Sequence, residues 1–252
     1  MTRISAIINQ KGGVDKTTTA HALSTGLRMK GHSVLVADCD PQGNLSYNMR
    51  ADTHGMGIHE ALRGESLTKE LIQQTEQGDI LTSSPKLSSA DREFDDTGRE
   101  YLLSAALEQI KGQYSHIIID CPPQLGILTI NALCACTDAV ITLTSDMYAL
   151  QGLSQLIGTI GKVRQFCNRQ VDIAGILLCR HNIRSILSRD IKDTVRQKAA
   201  ELDTILYNTI IRDGVSVREA QAQRQSLFSY DKSSNPTLDY ERFVSEYLKQ
   251  EA

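Results

Sequence analysis

The sequence predicts an α/β domain in which a mostly parallel, twisted β-sheet is flanked by helices on both faces. Short apolar segments rich in Val, Ile and Leu alternate with longer amphipathic segments, which is the pattern of right-handed βαβ units. Several apolar segments are hydrophobic almost throughout, as is typical of strands covered on both faces. Because no linker, repeat or low-complexity block interrupts the chain, we expect residues 1–252 to form one domain.

The apolar segments define the predicted strands. They cover residues 3–8, 33–37, 79–82, 116–119, 139–144, 171–179 and 205–210. Segments with apolar residues at helical spacing define the predicted helices, at residues 16–30, 101–111, 150–166 and 188–201. Residues 50–77 are largely polar and carry few strand signals, so we expect a loop-and-helix excursion there.

Composition excludes several classes of protein. A hydrophobic share of 40% and a charged share of 23% are ordinary for a globular chain and unlike a disordered or fibrous one. The absence of Trp and an aromatic share of 5% argue against base-stacking platforms for single-stranded nucleic acid. No apolar run has transmembrane length, and the first is too short for a signal peptide, so we expect a cytoplasmic protein without membrane contact. The six cysteines are then expected to be reduced and mostly buried.

A glycine-rich segment connects the first predicted strand to the first predicted helix. Its backbone N–H groups can close around phosphate oxygens, and the helix N-terminus adds a positive dipole end. Lys16 offers a point charge for β- and γ-phosphates, and Thr17 offers a hydroxyl for Mg²⁺. The strict G-x-x-x-x-G-K-[ST] spacing is not met, because Gln10 and Asp15 occupy the glycine positions, so an ordinary glycine-rich turn is the alternative. The predicted phosphate-binding residues are Gly12, Gly13, Val14, Asp15, Lys16, Thr17 and Thr18.

Two further segments place carboxylates at or after the ends of predicted strands. Asp38 and Asp40 follow the strand at 33–37, and Asp120 follows the strand at 116–119. A single aspartate in such a place is commonly a cap, but the carboxyl ends of parallel strands meet at one edge, where α/β sheets bind ligands. We therefore expect the glycine-rich segment and the three carboxylates to share one site.

These three segments resemble the motifs of the deviant Walker A ATPases, and most closely those of the ParA/Soj partition proteins of the ParA/MinD superfamily. Residues 11–18 are similar to the family's K-G-G-x-G-K-T-T motif, residues 38–44 to D-x-D-P-Q-G-N, and residues 117–123 to I-I-I-D-C-P-P. Shorter matches extend the resemblance over nearly the whole chain, at residues 88–93, 125–133, 187–189 and 219–220. The resemblance implies a P-loop NTPase fold without an N-terminal helix-turn-helix extension.

The same resemblance implies an ATPase that binds ATP or ADP with Mg²⁺ and forms an ATP-dependent homodimer. Lys16 and Thr17 would contact phosphate and Mg²⁺, and Lys11 would reach across the dimer to the partner's phosphates. Asp40 would orient the attacking water, so the implied catalytic residues are Lys11, Lys16 and Asp40. The implied metal residues are Thr17, Asp120, which would act through a water molecule, and Asp38, in support.

Asp15 departs from the family, which has glycine immediately before the second lysine of the motif. The position requires close approach of the backbone to phosphate and a backbone conformation that aspartate tolerates poorly. Two like charges about 4 Å apart also repel by roughly 4 kcal/mol at an effective dielectric of 20, which corresponds to up to about a thousandfold in affinity. We expect Asp15 to weaken ATP binding or to stall hydrolysis; the alternative is that it turns outward and pairs with a cation.

Charge is unevenly distributed along the chain. Residues 1–159 hold 12 Lys+Arg against 18 Asp+Glu, whereas residues 160–252 hold 15 against 12. Six of these basic residues are concentrated in one stretch: Arg180, Arg184, Arg189, Lys192, Arg196 and Lys198. Arg189, Lys192 and Arg196 lie on one face of the predicted helix at 188–201, which on its own is more typical of a solvated helix face.

The resemblance gives this basic face a function. ParA-like ATPases bind double-stranded DNA without sequence preference through basic residues in the C-terminal half, and Arg189 matches one of them. Arg218 is near a second, although its register differs from the family's segment. The implied DNA-binding residues are Arg189, Lys192, Arg196 and Arg218, and the implied location is the nucleoid.

The implied function is therefore positioning of a plasmid or chromosome through a ParB-like, centromere-binding partner. The first alternative is a MinD-like membrane-cycling ATPase, which requires a basic amphipathic C-terminal helix, whereas residues 239–252 are rich in acidic residues. Electron transfer of the nitrogenase iron-protein type requires cysteines in an arrangement that Cys134 and Cys136 do not match. A scaffold that positions cargo without nucleotide turnover remains a further alternative because of Asp15.

Overall fold

The computed structural model describes residues 2–64, 71–146, 149–182 and 185–251. Within these ranges the strands are β1 (Arg3–Ile8), β2 (Val34–Asp38), β3 (Ile72–Thr75), β4 (Gly78–Leu81), β5 (His116–Asp120), β6 (Asp138–Thr144), β7 (Asp172–His181) and β8 (Leu206–Arg212). They form one sheet in the order β3-β4-β2-β5-β1-β6-β7-β8. Every described pair is parallel except the β3–β4 hairpin, so the prediction of a mostly parallel sheet is confirmed.

Helices cover both faces of this sheet, also as predicted. They are α1 (Lys16–Met29), α2 (Asn44–Asn48), α3 (Ile58–Leu62), α4 (Ala90–Glu93), α5 (Leu102–Glu108), α6 (Ile127–Ala135), α7 (Ala149–Phe166), α8 (Ile186–Glu201), α9 (Val215–Ala222), α10 (Leu227–Tyr230) and α11 (Asn235–Leu248). Successive side chains of β1 enter two different cores: Ile8 packs on the side of α5 to α8, and Ile7 on the side of α1 and α11. This two-sided burial explains why the strand segments are hydrophobic throughout.

The seven predicted strands are present, with ends that shift by no more than about two residues. The prediction for residues 50–77 was wrong in one respect, because this stretch contains β3 as well as α3. β3 includes two glutamines and is only partly buried at the sheet edge, so it lacks the apolar alternation that identifies a strand in sequence. Its hairpin with β4 is closed by a hydrogen bond of 2.9 Å from the Thr75 hydroxyl to the Gly78 carbonyl.

The strand register brings the three candidate segments to one edge of the sheet. Asp38 of β2 lies directly opposite Asp120 of β5, and Ile7 of β1 lies on the other side of Asp120. The segments after β1, β2 and β5 therefore leave the sheet side by side. This arrangement confirms the expectation that they meet at the carboxyl edge, where open α/β sheets bind ligands.

The match at 88–93 has a structural explanation. The Asp91 carboxylate accepts a hydrogen bond of 2.8 Å from the Ile127 N–H, at the N-terminus of α6. Asn131, inside α6, donates to the Arg99 carbonyl at 2.8 Å and accepts from the Leu103 N–H at 2.9 Å. These contacts hold α6 in place directly after the segment that follows β5. Among the described residues, none forms a helix long and apolar enough to span a membrane.

Candidate functional site

A cleft of about 600 Å³ opens at the carboxyl edge of the sheet. One wall is the glycine-rich segment before α1, and the opposite wall is formed by β8, α9 and the segment between them. The lining includes Gly12, Gly13, Asp15, Lys16, Thr17, Thr18, Asp40, Arg180, Arg212, Asp213, Arg218 and Gln221. All the predicted phosphate-binding residues line this cleft except Val14, which is buried.

The backbone of the glycine-rich segment turns through the left-handed region twice. Gly13 has a φ of 72°, and Asp15 has a φ of 61° and a ψ of 27°. Glycine adopts this conformation freely, whereas an L-residue carries a cost of roughly 1–2 kcal/mol there, less for aspartate than for most. The expectation of an unfavourable backbone at Asp15 is therefore confirmed. Its carbonyl accepts the Thr19 N–H at 2.8 Å, but its carboxylate does not cap α1.

Lys16 is buried at the start of α1, and its Nζ donates a hydrogen bond of 2.9 Å to the Lys11 carbonyl. Burial lowers the pKa of Lys16, and the negative charges of Asp120 and Asp40 oppose this effect. The ammonium group is therefore held against the loop, on the cleft side and close to the carboxylates of the neighbouring strand ends.

Lys11 has a partner within its own chain. Its Nζ lies 2.7 Å from Oδ2 of Asp146, which also accepts a hydrogen bond of 2.6 Å from the Thr144 hydroxyl. The Lys11 side chain is 42% exposed, so the ion pair is open to solvent. Ion pairs of this kind contribute at most about 1 kcal/mol, so Lys11 can leave Asp146 at little cost.

Asp38 and Asp40 shape the loop that follows β2. Asp38 is fully buried and accepts hydrogen bonds from the N–H (2.8 Å) and hydroxyl (2.7 Å) of Ser46, and from the Asp40 N–H (3.2 Å). Burial raises its pKa to about 6, against the effect of the Ser46 hydrogen bonds. Asp40 accepts from the Gln42 N–H at 3.0 Å and faces the cleft. Asp38 thus holds the loop, and Asp40 is presented to a ligand.

Asp120 is the least satisfied polar side chain of the site. It is fully buried, and within the described part of the chain neither carboxylate oxygen has a hydrogen bond of acceptable geometry. Burial raises its pKa well above the usual range, as does the Asp38 charge, whereas the nearby Thr17 hydroxyl and Lys16 ammonium lower it. A buried carboxylate whose oxygens lack well-formed hydrogen bonds is costly. Its oxygens and the Thr17 hydroxyl are hard donors suited to Mg²⁺, so these residues fit a magnesium site.

Asp15 does not turn into open solvent. Burial raises the pKa of its carboxyl group to about 6, the positive charge of Arg180 lowers it, and the negative charge of Asp213 raises it. Arg180 donates from Nη1 to the Gly13 carbonyl at 3.3 Å, and its Nε lies 3.7 Å from Oδ1 of Asp213. The sequence interpretation grouped Arg180 with the basic stretch and missed its place in the cleft, although its position at the end of β7 was a usable signal.

The predicted basic face of α8 is exposed. The positions that pack inward are Ser188, Ile191, Val195 and Ala199, at helical spacing. Arg189 and Arg196 point to solvent and Lys192 is partly exposed. Arg184, from the same basic stretch, lies outside the described residues.

Arg218 is in a different place from the other predicted DNA contacts, because it lies on α9 in the cleft wall. In the same helix, Gln221 donates from Nε2 to the Thr18 hydroxyl at 3.0 Å and so links α9 to α1. The sequence interpretation missed Gln221, Arg212 and Asp213 as cleft residues. Arg212 is the last residue of the edge strand β8, and the other two residues follow this strand. The sequence around them has no distinctive motif, so their proximity to Thr18 is seen only in the fold.

Comparison with known proteins shows what this chain is similar to. Residues 2–173 match a protein family described as an AAA domain. The chain is 35% identical over 261 residues to the chromosome partitioning protein ParA of Caulobacter vibrioides, covering 99% of this chain and 95% of that protein. It is 37% identical over 240 residues to the sporulation initiation inhibitor protein Soj of Bacillus subtilis, covering 93% of each.

A solved structure with the same fold has been determined with ligands. It is the cobyrinic acid a,c-diamide synthase of Mycobacterium smegmatis with bound ADP and magnesium, which superposes with a TM-score of 0.82 at 30% identity. The similarity covers 99% of this chain and 95% of that one.

Proposed function

Because the chain belongs to the ParA/MinD superfamily of partition ATPases, we propose that residues 1–252 form one domain that hydrolyses ATP to ADP and phosphate in a partition cycle. The observation that carries this proposal is the meeting of three strand ends at one cleft. There the buried Lys16 faces the unpartnered carboxylate of Asp120. This is the charge arrangement that a nucleoside triphosphate with Mg²⁺ requires.

Different residues of the cleft would have different roles in phosphoryl transfer. Gly12 to Thr18 would hold the phosphates of ATP or ADP through backbone N–H groups, with the Lys16 ammonium against the β- and γ-phosphates. Thr17 and Asp120, the latter through a water molecule, would hold Mg²⁺, which when bound supplies positive charge to the phosphate oxygens. Asp40, presented by the Asp38-anchored loop, would orient the attacking water.

Dimerisation would depend on ATP, because Lys11 would complete the partner's site. Lys11 directly precedes Gly12 of the cleft lining, and its exposed ion pair with Asp146 can be released at low cost. A charge donated by the second subunit makes the nucleotide part of the interface. The ATP-bound homodimer is thus the active form in this proposal.

The dimer would bind double-stranded DNA without sequence preference. Each subunit presents Arg189, Lys192 and Arg196 on the exposed face of α8, and two copies double a modest patch. A ParB-like partner on the cargo would then stimulate hydrolysis and release, with the protein located on the nucleoid in the cytoplasm. Arg218 lies on α9 in the cleft wall, so it would contact DNA only if the bound DNA extends as far as the cleft.

Membrane cycling is less well supported, because the C-terminal helix is used inside the molecule. The apolar face of α11 packs into the second core through Tyr240, Phe243, Val244 and Tyr247, all fully buried. A helix that inserts into a membrane needs a free apolar face and a basic polar face.

The decisive experiment is an ATPase assay with and without DNA and the cognate ParB-like protein, run beside Asp15→Gly. We expect turnover that rises when both are added and that Lys16→Ala abolishes. Light scattering should show a dimer with ATP and Mg²⁺ but not with ADP. If neither the natural chain nor Asp15→Gly responds to nucleotide in turnover or mass, the proposal is wrong.

A further inference from the structure

Arg180 is an arginine at the end of β7 that lines the same cleft as Asp15. We propose that Arg180 is a positioning residue that acts as the counter-ion of Asp15 and makes this carboxylate compatible with a polyphosphate ligand. The inference rests on the proposed nucleotide site and concerns how this chain tolerates aspartate where its family has glycine.

The contacts of Arg180 connect the elements around Asp15. Nη1 donates to the Gly13 carbonyl at 3.3 Å, two residues before Asp15, and Nε lies 3.7 Å from Oδ1 of Asp213 after β8. One guanidinium group therefore bridges the glycine-rich segment and the opposite wall of the cleft. A planar cation with five N–H donors can make these two contacts and still present charge to a third group.

Arg180 supplies the positive charge between the carboxylates of Asp15 and Asp213 on the cleft wall. Asp15 and Asp213 line the cleft wall together with Arg180, whose Nε lies 3.7 Å from Asp213 Oδ1 and whose Nη1 contacts the Gly13 carbonyl in the segment that carries Asp15. If Arg180 is removed, the two carboxylates face the place proposed for the phosphates. Two carboxylates without this cation would repel a polyphosphate and weaken its binding.

The backbone of Arg180 is consistent with a functional constraint. Its φ is 51°, in the left-handed region that arginine seldom adopts, and Asp15 has a φ of 61°. Two partners of one cluster thus carry an unfavourable backbone conformation, which persists only where surrounding contacts determine it.

A double-mutant cycle tests the pairing. The natural chain, Arg180→Gln, Asp15→Asn and the double variant are titrated with a fluorescent ADP analogue and Mg²⁺. Asn tolerates the left-handed region and removes only the charge. We expect Arg180→Gln to weaken binding about tenfold or more beside Asp15 and less than about threefold beside Asn at this position.

Arg164→Gln is the matched control. Arg164 also pairs with an aspartate, Asp172 at 3.1 Å, and its side chain is 47% exposed against 43% for Arg180. It is at the opposite end of the sheet, so its loss should be independent of the residue at position 15. Equal losses for Arg180→Gln in both backgrounds would mean that Arg180 contacts phosphate without regard to Asp15. That result, or no loss at all, overturns the inference.

The same cycle without nucleotide separates the two proposals. In the ligand-free protein, Arg180→Gln should lower the melting temperature more beside Asp15 than beside Asn. If no variant binds nucleotide but this difference is present, the proposed function fails and the pairing stands. Additive changes in melting temperature together with additive nucleotide binding would disprove the pairing.

Discussion

At Asp15, a left-handed backbone and a carboxylate coincide in one residue beside the proposed phosphate position. The first effect belongs to the fold and the second to the ligand, so they can be measured separately. Asparagine keeps the shape and tolerates the backbone but carries no charge, and glycine removes both costs. The contribution of charge is the larger of the two, because the backbone cost of aspartate in this region is at most about 1–2 kcal/mol.

We therefore expect Asp15→Asn and Asp15→Gly to bind ATP more tightly than the natural chain, by about tenfold, because Arg180 offsets part of the repulsion between Asp15 and the phosphates. Asn and Gly should give similar gains, because the left-handed backbone is already present in the ligand-free protein and its cost affects stability, not affinity. Fluorescence titration with an ATP analogue and Mg²⁺ gives the three affinities. Equal affinities would show that Asp15 has no effect on nucleotide binding, and a gain in Gly alone would show that the charge of Asp15 is not the cause.

At the scale of elements, α1 carries a second buried titratable group, His21. It is almost fully buried, and its Nε2 lies 3.0 Å from Oε1 of Gln77. Burial lowers the pKa of His21 to about 4 from its ordinary value near 6.5, and the hydrogen bond to Gln77 only partly offsets this. The unfolded chain therefore takes up a proton at a higher pH than the folded chain does.

The lowered pKa of His21 should make the protein less stable as the pH falls. The contribution of His21 to stability is complete above pH 6.5 and is lost as the pH falls to about 4, by at most about 3 kcal/mol. Asp38 and Asp120, with raised pKa values, act in the opposite direction, so the comparison must be between variants. We expect His21→Gln to lose less stability than the natural chain between pH 7 and pH 4 in thermal melts. His54→Gln, at an exposed position, should follow the natural chain; identical slopes for His21→Gln would contradict the prediction.

The exposed face of α8 gives a prediction for DNA. Each subunit of a dimer contributes one copy, so Arg189→Ala removes two phosphate contacts and should reduce the slope of log affinity against log salt by about 1.8. Lys198→Ala is the control, because Lys198 is on another face of the same helix and pairs with Glu201 at 2.6 Å. Filter binding of random-sequence duplex DNA with ATP and Mg²⁺ measures both. An unchanged slope for Arg189→Ala would remove α8 from the DNA interface.

These elements also show what could be predicted from sequence. β1 and α1 could be placed closely because an apolar run ends at a glycine-rich turn, which is a local signal. The neighbourhood of Asp38 and Asp120 followed from the rule that parallel strands end at one edge. β3 could not be found, since an edge strand need not be apolar, and the contact of Arg180 with Gly13 joins residues 167 positions apart. Such contacts depend on strand order, which local patterns do not specify.

At the scale of the whole molecule, the near-neutral net charge of −3 is the sum of unlike parts. Residues 1–159 are acidic, and they include the carboxylates of the cleft; residues 160–252 are basic and include α8. Burial of a carboxylate is costly unless the group is paired, as Asp138 is with Arg3 at 2.7 Å. The oxygens of Asp120 have no hydrogen-bond partner among the described residues, so the burial of this carboxylate lowers the free energy of unfolding of the ligand-free protein.

Replacing Asp120 with asparagine should therefore stabilise the ligand-free protein while removing its response to ligand. Because the cost of burying this carboxylate outweighs the effects of Lys16 and Thr17, its replacement is expected to raise the free energy of unfolding by about 1–3 kcal/mol, or roughly 2–4 °C per kcal/mol in melting temperature. The natural chain should gain about 2.7 kcal/mol from Mg²⁺ and ADP at 100 times the dissociation constant, and Asp120→Asn should gain much less at the same concentrations. Asp138→Asn is the matched control: it breaks a satisfied buried pair, so it should destabilise the ligand-free protein and leave the gain from ligand intact. A ligand-free Asp120→Asn that melts below the natural chain would show that the carboxylate is satisfied without a metal ion.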